Sequence, residues 1–67
     1  MKNVPKLLDA LRDRFQIKND ASLARALDIS APQVCKLRGG ATMGPAVILK
    51  IHERTKIPVD EIRELAK

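Results

Sequence analysis

Apolar positions in this chain recur every three or four residues, never every second one, and the recurrence restarts several times. Leu7, Leu8, Leu11 and Phe15 form one buried stripe, with Lys6, Asp9, Arg12 and Asp13 on its wet side. Leu23, Ala24 and Leu27 form a second, and Val34 and Leu37 a third. Ala46, Val47, Ile48, Leu49 and Ile51 make a denser run, apolar on more than one side, which predicts a helix at the centre of the domain. Val59, Ile62 and Leu65 complete the series with a short last helix. The spacing predicts five short helices and no strand, an all-α class.

The boundaries have local causes. Asn3 can cap the first helix, with Pro5 in its opening turn. Asn19 can cap the second by reaching toward the backbone of Ser22. Between Leu27 and Val34 the buried face rotates, so one continuous helix does not fit. Asp28 enters the left-handed region at modest cost and can end the second helix. Ser30 then starts the third as N-cap, with Gln33 completing a capping box and Pro32 in a turn that tolerates its missing N–H. Gly39 and Gly40 stop that helix, and a loop, Ala41 to Gly44, leads to Pro45 and the fourth. Ile57 and Pro58 separate the fourth helix from the fifth, where Asp60 and Glu61 favour the N-terminus.

The stretch Asn19–Gly40, NDASLARALDISAPQVCKLRGG, resembles the helix-turn-helix of the phage lambda repressor and Cro family, the xenobiotic-response-element type of bacterial regulator. The resemblance rests on a Leu-Ala pair where two helices cross (Leu23, Ala24) and an apolar pair around the turn (Leu27, Ile29). It continues in a second apolar pair three apart (Val34, Leu37) and a Gly three beyond (Gly40). It implies a compact five-helix lambda-repressor-like DNA-binding domain over 1–67, with the helix-turn-helix at about residues 20–38. Two positions depart from that pattern. Asp28 stands where a turn Gly is usual, and Asp20 where a phosphate-touching Gln is common.

Composition agrees with one small domain. The 67 residues include 18 Leu, Ile and Val, enough for one core in a chain near the lower size limit for folding without metal or disulfide. The single cysteine excludes an internal disulfide and suits a reducing cytoplasm. No apolar run approaches the roughly 20 residues that span a bilayer, and charges interrupt the first fifteen or so positions, so neither an anchor nor a signal peptide is expected and the expected location is cytoplasmic. Net charge is +5. Its distribution is uneven: Lys36, Arg38, Lys50, Arg54 and Lys56 face only Glu53 between positions 30 and 58. Such a local excess suits a polyanion, and double-stranded DNA is the first candidate partner.

A helical wheel puts Val34 and Leu37 on the core side of the third helix. Pro32 and Lys36 then lead the outward side, flanked by Ala31 and Cys35 and by Gln33. The resemblance implies that this side enters the major groove, with Lys36 reaching a guanine edge or, equally, a phosphate, and Ala31 or Pro32 a thymine methyl. It also implies backbone contacts from Ser22, Ser30, Arg38, Gly39, Gly40 and Thr42. A homodimer on a near-palindromic operator is expected, with Ile57, Val59, Ile62 and Leu65 as the interface or, equally, as closure of the core.

No catalytic cluster is legible. His52 and Glu53 are adjacent on a helix and point about 100° apart, so they cannot chelate together. Cys35 has no histidine close in sequence. No enzyme activity, cofactor or metal is expected. The function expected is a transcriptional regulator, most simply a repressor of the phage or mobile-element type. The alternatives are an antitoxin-type autoregulator and a protein-interaction adaptor that keeps the fold as scaffold.

Overall fold

The computed structural model describes residues 3–67, and every described element is a helix: α1 (Val4–Arg14), α2 (Asp20–Leu27), α3 (Ala31–Arg38), α4 (Pro45–Thr55) and α5 (Val59–Leu65). The first three start as their sequences dictate. Asn3 Oδ1 accepts from the Lys6 N–H at 3.2 Å, and Asn19 Oδ1 from the Ser22 N–H at 2.8 Å. At the head of α3, Ser30 Oγ accepts from the Gln33 N–H at 3.2 Å while Gln33 Oε1 accepts from the Ser30 N–H at 3.1 Å. Each side chain satisfies a donor that the first turn leaves without a carbonyl.

The first four helices end by a common device. Gln16, Asp28, Gly40 and Lys56 all adopt positive φ, at 56°, 58°, 104° and 61°. After α2, the N–H groups of Asp28 and Ile29 turn back to the carbonyls of Arg25 and Ala24, at 3.2 and 2.9 Å. After α3, those of Gly40 and Ala41 return to Leu37 and Lys36, at 3.2 and 3.0 Å. This is the Schellman closure, in which a left-handed residue lets the chain reverse and use the last carbonyls. Asp28 occupies its position with help from α4: Lys50 Nζ donates to its carbonyl at 3.0 Å and Arg54 pairs with its carboxylate at 3.2 Å.

Packing corrects two expectations. α1 packs on α3 and α5, α2 on α3 and α4, and α4 on α5, so the helices close a ring in the order α1, α3, α2, α4, α5. No helix runs through the middle. α4 is therefore peripheral rather than central: it turns Ile48 and Ile51 inward, half-buries Val47, and leaves Ala46 and Leu49 exposed, Leu49 to 53%. Phe15 is also outside, 45% exposed, because α1 stops at Arg14 and the left-handed Gln16 redirects the chain. Ile17 takes the place expected of Phe15 and packs against the core.

The ring encloses a core drawn from all five helices and their connections. Leu7, Leu8, Leu11, Leu23, Leu27, Val34, Ile51 and Ile62 are its largest fully buried side chains. Val4, Met43 and Ala66 join them from positions that carry no periodic signal. Ile57 and Ile62 belong to this core, so of the two roles expected for them closure of the core is the one observed: both are covered within one chain. Val59 and Leu65 are half-buried at its edge. A hydrogen bond of 2.7 Å from the Asn3 N–H to the Ala66 carbonyl seals the seam between α1 and α5.

His52 has a structural task in the α4–α5 connection. Its Nδ1 lies 2.7 Å from the Ile57 carbonyl, which can only accept, so Nδ1 carries the proton. Thr55 Oγ1 donates to the Ile51 carbonyl at 2.6 Å and accepts from the Ile57 N–H at 3.3 Å.

Candidate nucleic-acid interface

The outward side of α3 follows from what the inward side must do. Val34 and Leu37 are buried, to 0% and 4% exposure, and they fix the rotation of the helix about its axis. Ala31, Pro32, Gln33, Cys35 and Lys36 are then all exposed, and they share the surface opposite the core. The structure thus brings together the whole set expected to meet base edges. Ser30 precedes it and Gly39, Gly40, Ala41 and Thr42 follow it directly, all exposed. Ser22 is exposed in the first turn of α2.

Glycine is required at one of these positions. Gly40 sits at φ 104°, where a side chain would strain the backbone although no atom crowds the space.

Arg38 differs from the rest of the set. Its Nε and Nη2 donate to the two carboxylate oxygens of Asp20 at 3.0 and 2.9 Å, and its Nη1 donates to Asp9 Oδ1 at 2.7 Å and the Pro5 carbonyl at 3.4 Å. The guanidinium ties α3 to α2 and α1 at once, with its side chain 24% exposed. A phosphate would have to displace carboxylates that already fill its fork. Arg12 adds a longer contact to Asp20, 3.8 Å away. The hydrogen bonds from Arg38 hold the Asp20 carboxyl below the usual aspartate range, outweighing the opposing effect of partial desolvation, and the same bonds push the guanidinium up.

This clamp is not legible in the sequence. Its one trace is Asp20 itself, an acid where the resemblance leads one to expect Gln, and the structure supplies the reason by pairing it with Arg38. Among the described residues Lys36 forms no ion pair, so it is the free cation of the α3 face. Comparisons with protein-family models, curated proteins and solved structures find no match to this chain.

Among the described residues no helix is long and apolar enough to cross a membrane.

Proposed function

We propose that the chain is a sequence-specific double-stranded DNA-binding regulator, a repressor of the Cro or mobile-element type, in which α2 and α3 form a lambda-repressor-like helix-turn-helix. The observation that carries the reading is the division of α3: a core side that locks its rotation and an outward side exposed along its whole length, with Lys36 unpaired. α2 makes its largest contact with α3 across the turn at Asp28, Ile29 and Ser30, so the pair presents α3 as a rigid unit. The overall charge of +5 supports attraction to phosphates.

In this reading α3 lies in the major groove, Lys36 reaches a base edge or a phosphate, and the loop from Gly39 to Thr42 approaches the sugar-phosphate backbone. A homodimer would place two copies of α3 about one helical turn apart, roughly 34 Å. With Ile57 and Ile62 withdrawn into the core, Val59 and Leu65 remain from the expected interface, and exposed Leu49 is the large apolar side chain of the same half.

The test is selection of duplexes from a random pool followed by titration of the selected duplex at several salt concentrations. Affinity should fall steeply with salt, with a slope of about 0.9 per phosphate contact. Lys36→Ala should weaken binding about tenfold while folding stays intact; loss of discrimination at one position marks a base contact, and a slope smaller by about 1 marks a phosphate contact. An adaptor function draws on a different observation, the apolar or weakly polar character of Ala31, Pro32 and Cys35 together with the commitment of Arg38 inside the protein. Binding unchanged by Lys36→Ala and insensitive to salt would favour it.

A further inference from the structure

The capping box leaves Gln33 with only half of its amide to offer. A backbone N–H can only donate, so the Gln33 atom facing the Ser30 N–H at 3.1 Å must be the carbonyl oxygen Oε1. The Ser30 hydroxyl, 3.4 Å from the same oxygen, donates there too, and it already accepts from the Gln33 N–H. Nε2 is the remaining half, a pure donor on an exposed residue, with no acceptor among the described residues.

Lys36 is three positions further on, so the two side chains are neighbours on one helix face. Its ammonium group also donates and cannot accept. Around them stand Ala31 and Pro32, without polar side-chain atoms, and Cys35, whose thiol is a weak partner. The outward face of α3 therefore presents strong donors and no strong acceptor.

We propose that this face prefers guanine to adenine: Gln33 Nε2 and Lys36 Nζ donate to the O6 and N7 acceptors of guanine edges in the major groove, where adenine offers N7 alone. The inference rests on the DNA-binding reading and adds its base preference. A glutamine recognises adenine by donating to N7 and accepting from N6, which takes both halves of the amide. Here the accepting half is held by Ser30. Cytosine is disfavoured for the same reason, because its N4 amino group donates and meets no acceptor.

The experiment compares duplexes selected from one random pool by the unaltered chain, by Gln33→Glu and by Ser30→Ala, with thermal unfolding of each protein measured alongside. The unaltered chain should select guanine opposite Gln33 and Lys36. Gln33→Glu keeps an oxygen facing the Ser30 N–H, so α3 keeps its cap, while the free half becomes an acceptor. Its preference at that one position should move from guanine to cytosine, with about tenfold or greater loss on the original duplex relative to a random duplex of equal length. Ser30→Ala removes the hydroxyl but keeps the backbone N–H that holds the Gln33 oxygen at 3.1 Å, so it is the control and should still select guanine there. Selection of adenine opposite Gln33 by the unaltered chain, or an unchanged base profile in folded Gln33→Glu, overturns this inference alone. Failure of the unaltered chain to bind any duplex overturns the DNA-binding reading and this one with it.

Discussion

The α2–α3 pair and the α4–α5 pair are each two short helices joined through a left-handed residue, Asp28 in one and Lys56 in the other, yet they begin in opposite ways. α2 and α3 open on Asn19 and Ser30, whose side chains bond to the first turn. α4 and α5 open on Gly44 and Pro58, with no side-chain cap. The second pair is held instead by what it buries, Ile48, Ile51, Ile57 and Ile62, and by bonds across its own turn from His52 and Thr55. Local chemistry defines the ends of the helix expected to meet a ligand, and tertiary packing defines the helices behind it. A presenting helix benefits from ends that do not fray, since its first turn carries Gln33 and its last carries Lys36.

The sharpest way to break this contrast is Ile62→Ala. Removing a fully buried side chain from the packing-dependent pair should cost about 2–5 kcal/mol, measured by urea denaturation, which is a large share of the stability of so small a domain. A loss no larger than that of a cap would show that α4 and α5 do not depend on their core as argued. Asn19→Ala acts on the other pair and should cost about 1 kcal/mol in the same assay. The smallest effect sharpens the contrast from the opposite side. Gly44 has the extended backbone of an N-cap and open space for a side chain, so Gly44→Ser should give α4 a cap and add a few tenths of a kcal/mol.

The same contrast explains what could be read from the sequence. Asn3, Asn19, Ser30 and Gln33 act on residues three positions away, and the structure shows each bond as its spacing requires. The left-handed Asp28 and the stop at Gly39 and Gly40 are equally local. The outward set on α3 was legible because Val34 and Leu37 fix its rotation within a single helix.

Nothing local marks Met43 as core, since it sits between Thr42 and Gly44 in a loop; it is nonetheless buried, with residues of α4 and α5 beside it. Phe15 continues the i, i+4 spacing of Leu7 and Leu11 and would be buried if α1 went on. It lies outside because the chain turns at Gln16, a residue with no strong preference for that conformation. The Asp9–Arg38–Asp20 clamp joins positions 29 and 18 residues apart, a separation at which charge patterning along one helix says nothing. From the sequence Arg38 reads as a phosphate contact, whereas in the fold its fork is filled by Asp20 and Asp9.

The closed circuit of helices bears on how the molecule comes apart. A helix at the end of a row can detach by breaking one contact surface; here each has two, and the circuit is fastened where the Asn3 N–H meets the Ala66 carbonyl. Detaching any one would admit water to side chains contributed by all the others. Cooperativity is therefore a property of the contact topology: a domain with a modest store of apolar residues holds together, or comes undone, as a single unit.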